Sequence, residues 1–227
     1  MNINKPSHLG HRARIREKFL NNHNSLLDYE ILELLLFSAI PRKDTKEIAK
    51  NLLNEFGNIT NIINADPSYL KEISGISDNV ITHLKIIKEI IIRAAKNKIT
   101  KVNIIDNWHN MIQYCQNNIG HLQYERFHIL FLNKKFHLIS DKIYGEFEIT
   151  NQVTLDNKYI VKTALNLSSS YVILCHNHPS GNLKPSKMDI DSTKKLKESL
   201  ENVAIKMLDH IIIGNNQYYS FKESLAI

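Results

Sequence analysis

One stretch decides the fold of the second half of this chain: His176-Asn177-His178-Pro179-Ser180-Gly181-Asn182-Leu183-Lys184-Pro185-Ser186-Lys187-Met188-Asp189. The apolar run before it, Tyr171-Val-Ile-Leu-Cys175, predicts a buried strand. Because side chains alternate along a strand, His176 and His178 point to the same side and can bind one metal ion together. Ser186 suits the cap of a following helix, whose first turn then carries Asp189. The stretch therefore predicts a strand, a turn and a helix that bring two imidazoles and a carboxylate together.

These three side chains have the chemistry of a zinc site. Two histidines and one carboxylate leave a fourth position for water, which is typical of catalytic rather than structural zinc. Either half of the pattern is weak by itself, since Ser-x-x-Asp is commonly a plain helix cap. The full spacing is far more restrictive, and it predicts Zn²⁺ bound by His176, His178 and Asp189. Cys175 alternates to the opposite face and is predicted to be core, and His210 is predicted to be structural or to support a ligand.

The motif resembles those of known proteins. The pattern HxH-x7-S-x2-D resembles the JAMM (MPN+) metalloprotease motif, and the stretch His176 to Gly181 together with Leu208-Asp-His-Ile-Ile-Ile-Gly214 resembles the bacterial RadC family. The resemblance extends over roughly His8 to Ile227. It implies a JAMM/MPN-type mixed sheet with flanking helices, a zinc ion, and hydrolysis of peptide or isopeptide bonds.

The resemblance also implies two catalytic residues. Glu125, at the start of the first core strand, matches the glutamate that acts as general base toward the zinc-bound water. The alternatives are that Glu125 is a solvated residue at a strand edge, or that Glu146 or Glu148 is the base. Ser186 would donate a hydrogen bond to the oxyanion that forms when water attacks a carbonyl.

The first hundred residues read as helices, with apolar residues at helical spacing from Asp28 onward. The segment Tyr69 to Ser77 resembles a helix–hairpin–helix, whose hairpin offers backbone N–H groups to a DNA phosphate. Ser77 stands where the usual second glycine would be, and a side chain there hinders close backbone approach. DNA binding and a packing-only helical domain therefore both stay open for residues 1–100.

Composition indicates the kind of partner and argues against secreted, membrane and disulfide-rich proteins. The chain has 29 Lys and Arg against 23 Asp and Glu, and the net charge of +6 mildly favours an acidic partner such as nucleic acid. The N-terminal residues lack the apolar region of a secretory signal, and no apolar run is long enough to span a membrane. Two distant cysteines exclude a disulfide framework and a cysteine zinc site. We expect a cytoplasmic protein.

The sequence thus predicts an α/β (α+β) protein of two domains. Residues 1–100 form a helical, helix–hairpin–helix-like domain, and residues 101–227 form a JAMM/MPN-type zinc domain. The leading function is zinc-dependent hydrolysis of a peptide or protein substrate. The alternatives are a DNA-binding or adaptor protein with a structural or vestigial zinc site, and a zinc-dependent nuclease.

Overall fold

The computed structural model describes residues 7–41, 43–144 and 155–224, without the side chains of residues 7–9. The chain divides into two compact units between Ile90 and Ile91, a point inside a helix. Within the described ranges, no helix is long and apolar enough to cross a membrane.

The first unit is helical. Its helices are α1 (Ser7–Asn22), α2 (Asp28–Ala39), α3 (Lys46–Phe56), α4 (Ile59–Asn64), α5 (Pro67–Glu72) and the first part of α6 (Asp78–Ile99). Helix α3 ends before Gly57, whose φ of 83° favours glycine. The core contains fully buried aliphatic side chains from successive helices, among them Leu36, Leu52, Ile62, Leu70 and Leu84. Each helix thus buries one apolar face against the others.

The second unit is built around a five-stranded mixed sheet. The strands are β1 (Phe127–Leu132), β2 (Leu138–Tyr144), β3 (Tyr171–Asn177), β4 (Lys206–Gly214) and β5 (Gln217–Ser220), in the spatial order β2-β1-β3-β4-β5. Strands β3 and β4 are parallel, and the other neighbours are antiparallel. The helices are the end of α6, α7 (Trp108–Ile119), α8 (Asn157–Asn166) and α9 (Lys187–Glu201).

Helices cover both faces of this sheet. Helix α7 and the end of α6 pack on one face against residues such as Leu130, Ile173 and Ile211. Helices α8 and α9 pack on the other face against Phe131 and Leu174. Strand β3 is consequently buried on both sides, as its continuous apolar run predicts.

The structure confirms the predicted mixed α/β architecture with flanking helices. The polar segment from Asn97 to Lys101, at the predicted boundary between residues 1–100 and 101–227, begins inside α6, where Ile99 is fully buried in the second unit. Helix α1 and strand β5 were not predicted. The former is largely polar, and the latter has only four residues, two of them exposed.

Candidate metal centre

The structure brings His176, His178 and Asp189 together. Both histidines lie at the carboxyl end of β3, and Asp189 lies in the first turn of α9. The two Nε2 atoms are 2.9 Å apart, His176 Nε2 is 3.4 Å from Asp189 Oδ1, and His178 Nε2 is 3.6 Å from Asp189 Oδ2. Two imidazole lone pairs at this separation repel unless a proton or a cation lies between them. The three side chains form a group that could hold a metal ion.

A tight turn after β3 shapes this group. The N–H of His178 donates to the carbonyl of Ile213 on β4 over 2.8 Å, which extends the pairing beyond the end of β3. Gly181 has a φ of 75°, which favours glycine. Its backbone lies close to Gly214, and a Cβ added to Gly214 would meet Cα of Gly181 at 3.0 Å. Two glycines are therefore needed where the turn crosses the end of β4.

Ser186 and Asp189 form the cap of α9. The carboxylate oxygen Oδ2 of Asp189 accepts hydrogen bonds from the backbone N–H and the hydroxyl of Ser186, both over 2.7 Å. Burial raises the pKa of Asp189, but the neighbouring His178 and the hydrogen bonds from Ser186 outweigh it and hold that pKa well below its usual range. Asp189 is therefore an anion, as a carboxylate that binds a metal must be.

The same cap bears on the predicted role of Ser186. Its hydroxyl carries one proton, and that proton is directed at the Asp189 carboxylate. The hydroxyl must rotate away from Asp189 before it can donate to an oxyanion. That role stays a prediction.

The two histidines differ in their surroundings. His176 is fully buried, and burial lowers its pKa to about 3, so its ring is neutral. His178 lies at the edge of the site, and the neighbouring Asp189 carboxylate raises its pKa against the effect of burial. Its Nδ1 lies 2.5 Å from the carbonyl of Asn182, to which it donates, so Nε2 faces the candidate site. Each ring thus directs Nε2 toward Asp189.

Glu125 lies next to this group. Phe127 pairs with His176 across β1 and β3, and continuing that antiparallel register places Glu125 opposite His178. Burial raises the pKa of Glu125, with the neighbouring Asp189 adding to the rise and His178 opposing it. The alternatives Glu146 and Glu148 lie outside the described residues.

Asn177, between the two histidines, holds the loop that carries Glu125. It is fully buried, and its Oδ1 accepts from the N–H of Arg126 over 2.8 Å. Its Nδ2 donates to the carbonyls of Leu122 and Tyr124 over 3.1 and 3.0 Å. One side chain thus supplies partners to three backbone groups on either side of Glu125.

A cleft opens beside the candidate site. Its volume is about 550 Å³ and it contacts both Glu125 and Asp189. The rest of the lining consists of apolar side chains, two lysines and three other polar residues. These are Phe127, Leu155 and Met188, then Lys187 and Lys195, then Asn157, Asp191 and Ser192. A ligand in this cleft therefore reaches the carboxylate and the candidate metal group together.

The two remaining predictions around the motif agree with the structure. Cys175 is fully buried in the core on the α7 side of the sheet. His210 is also fully buried, and its Nε2 lies 2.7 Å from Nδ1 of His176. It thus contacts a candidate ligand at the ring nitrogen that does not face the metal group.

Comparison with known proteins shows the family of this chain. Residues 105–226 match the family described as the RadC-like JAB domain, which is more than half of the chain. The chain belongs to this family. It is also 40% identical to the UPF0758 protein FN0909 of Fusobacterium nucleatum subsp. nucleatum, over 94% of this chain and 95% of that protein. The predicted RadC resemblance is thereby confirmed.

The role of Asn177 generates a stability prediction. Asn177→Leu leaves a buried N–H and two carbonyls without partners, and each such group costs about 1–3 kcal/mol. We expect the free energy of unfolding of the second unit to fall by more than about 2 kcal/mol. Urea unfolding followed by the fluorescence of the single tryptophan, Trp108 in α7, measures this unit directly. The exposed Asn54→Leu is the control, and equal midpoints for the two variants would contradict the assigned role.

Proposed function

We propose that the second unit is a zinc-dependent hydrolase of the JAMM type that cleaves peptide or isopeptide bonds. The observation that carries the proposal is the convergence of His176, His178 and Asp189 beside a cleft that also contains Glu125. A carboxylate with a raised pKa next to a metal group is the arrangement that general-base catalysis by hydrolases requires.

The three side chains fit zinc in number, type and spacing. Imidazole nitrogen and carboxylate oxygen bind Zn²⁺ at about 2.0–2.1 Å, which places tetrahedral ligand atoms about 3.3 Å apart. The two Nε2 atoms are 2.9 Å apart and His176 Nε2 is 3.4 Å from Asp189 Oδ1, both close to that value, and one donor atom from each of the three residues lies within 4.8 Å of the others. When bound, zinc supplies Lewis-acid chemistry that polarises a carbonyl and acidifies a coordinated water.

The protein's own groups then perform the proton transfers. Glu125 accepts the proton of the attacking water and delivers it to the leaving amine. The raised pKa of Glu125 lies closer to neutral pH than that of an ordinary carboxylate, and a general base works best when its pKa is near the working pH. Ser186, if its hydroxyl rotates from Asp189, donates to the developing oxyanion. Phe127, Leu155 and Met188 offer apolar contacts to the substrate side chain nearest the scissile bond.

Zinc content is the first test. We predict about one zinc ion per chain, because the three ligands leave an open fourth position and form a single group among the described residues. Elemental analysis after purification without added metal measures it. His178→Ala should lose the ion, while His137→Ala, half-buried at the end of the β1–β2 turn, should keep it. Metal content that does not rise on zinc addition would overturn the proposal.

Glu125 and Asp189 separate chemistry from coordination. Glu125→Gln should retain zinc and lose activity by about 10²–10⁴-fold, since the isosteric amide cannot take a proton from water. Asp189→Asn should weaken zinc binding itself, because a neutral amide replaces an anionic ligand. A panel of peptide, isopeptide and nucleic-acid substrates, assayed with zinc content in parallel, makes the measurement.

Each alternative has its own outcome in that panel. Full activity in Glu125→Gln would move the general base elsewhere, and loss of zinc in that variant would make Glu125 a ligand. Cleavage of nucleic acid alone would favour the nuclease. Bound zinc with no turnover of any substrate would favour the adaptor with a structural or vestigial site.

A second proposal concerns the first unit, where we infer sequence-independent DNA binding. Residues 73–77 form a short hairpin between α5 and α6, closed by a bond from the N–H of Ile76 to the carbonyl of Ile73 over 3.1 Å. Gly75 has a φ of 90°, which favours glycine, and a Cβ there would lie 2.7 Å from Cδ1 of Ile48, whose side chain would have to shift. Ser74 and Ser77 are exposed beside it, so the hairpin backbone faces solvent.

Charge reversal at the hairpin tests this second proposal. Ser77→Glu adds a carboxylate at an exposed position and should abolish binding of the full chain to a fluorescent duplex, because DNA phosphates repel it. Thr60→Glu, an equally exposed position on α4, should bind like the parent protein. Fluorescence anisotropy at about 50 mM salt, where electrostatic contacts are strong, is the measurement. Absence of binding by the parent protein would leave a packing domain.

A further inference from the structure

We propose that Thr193 and His210 are positioning residues that keep Nε2 of His176 free of hydrogen and ready to bind the metal. We call the side chains of Thr193, His210 and His176 the tautomer relay. The inference rests on the proposed function in one respect: His176 must be a metal ligand.

The relay begins at a group whose role is unambiguous. The carbonyl of Asp189 has no proton, so the hydroxyl of Thr193 must be the donor in the hydrogen bond between them. The single proton of the Thr193 hydroxyl is therefore already donated to this carbonyl. The hydroxyl oxygen lies 2.6 Å from Nδ1 of His210, which must therefore carry a hydrogen and donate to Thr193.

The assignment passes from His210 to His176. A neutral imidazole has one N–H, so Nε2 of His210 is an acceptor. It lies 2.7 Å from Nδ1 of His176, which must carry the hydrogen of that bond. The lone pair of His176 is consequently on Nε2, the atom that faces His178 and Asp189.

Reversing the relay would disable the site. If His210 carried its hydrogen on Nε2, it would donate to Nδ1 of His176, and the hydrogen of His176 would move to Nε2, the ligand atom. The surroundings oppose this reversal, because it would leave Nδ1 of His210 without hydrogen against the Thr193 oxygen, at a place where both residues are fully buried. Phe221 stacks on His210 with ring centres 4.5 Å apart, and Phe127 packs against His176 at 5.0 Å. Water is thus excluded as an alternative partner.

The relay also joins two of the candidate ligands. Thr193 lies one helical turn after Asp189 on α9 and bonds to its backbone, while His210 on β4 contacts His176 on β3. Bonds of this kind from a ligand histidine to a second residue typically change metal affinity by about 10–100-fold when they are lost.

The wild-type chain provides a direct test that needs neither activity nor metal. Long-range ¹H–¹⁵N NMR on the metal-free, full-length protein with ¹⁵N-labelled histidine reports which ring nitrogen carries hydrogen. The His176 signal is assigned by comparison with His176→Gln. The relay predicts hydrogen on Nδ1 of both His176 and His210. Hydrogen on Nε2 of His176 would overturn it.

Two substitutions at Thr193 distinguish the relay from simple packing. Thr193→Val keeps the shape and removes the hydroxyl, whereas Thr193→Ser keeps the hydroxyl and removes the methyl group. We expect Thr193→Val to weaken zinc binding by about 10–100-fold in competition with a chromophoric chelator, and Thr193→Ser to bind within about threefold of wild type. Thr193→Val should also lose the fixed tautomer of His176 in the NMR spectrum.

The outcomes are separable from those of the proposed function. Equal zinc affinity in the Val and Ser variants, or weaker binding in Ser than in Val, would overturn the relay and leave the hydrolase proposal standing. A wild-type protein that binds no zinc would overturn the hydrolase, and the metal-free NMR experiment would still decide the tautomer. If Thr193→Val does not fold, the wild-type spectrum alone gives the answer.

Discussion

The parallel pairing of β3 with β4 is the constraint on which the candidate site depends. Parallel neighbours cannot be joined by a tight turn, so the chain must cross over the sheet, and α9 makes that crossing. The crossover starts at the carboxyl end of β3, beside His176 and His178. The first turn of α9 therefore lies above both histidines, and Asp189 is placed there by the cap that it forms with Ser186. Sheet topology thus assembles the three candidate ligands.

The polar groups behind the site are buried at an energetic cost that their hydrogen bonds offset. Asn177 bonds to three backbone groups, and His210 is held between His176 and Thr193. Asp209, also buried, accepts from the hydroxyl of Ser220 over 2.6 Å, a bond that fastens β5 to β4. These bonds have directions as well as strengths, so they fix which atoms of the histidines face the site.

Much of this arrangement could be predicted from the sequence. The apolar run of β3, the His-x-His spacing and the Ser-x-x-Asp cap each have local causes, and together they bring His176, His178 and Asp189 into one group. The helices from α2 onward follow from their apolar periodicity. What could not be predicted depends on pairing between distant segments. The contact between Thr193 and His210 arises only once α9 lies on β4, and the clamp of Asn177 depends on the register of β1 with β3. The contact between Thr193 and His210 has one local signal, which is the position of Thr193 four residues after Asp189 on the same face of the helix.

The proposed site holds zinc between two imidazoles and a carboxylate, on the side of the sheet opposite α7. X-ray absorption at the zinc edge of the loaded, full-length protein tests it most directly. We expect nitrogen and oxygen neighbours at about 2.0–2.1 Å with the outer-shell pattern of two histidine rings, and we expect the same pattern in the control His137→Ala. Sulfur at about 2.3 Å would contradict it, because that distance would place the ion with Cys115 or Cys175 on the opposite, α7 side of the sheet.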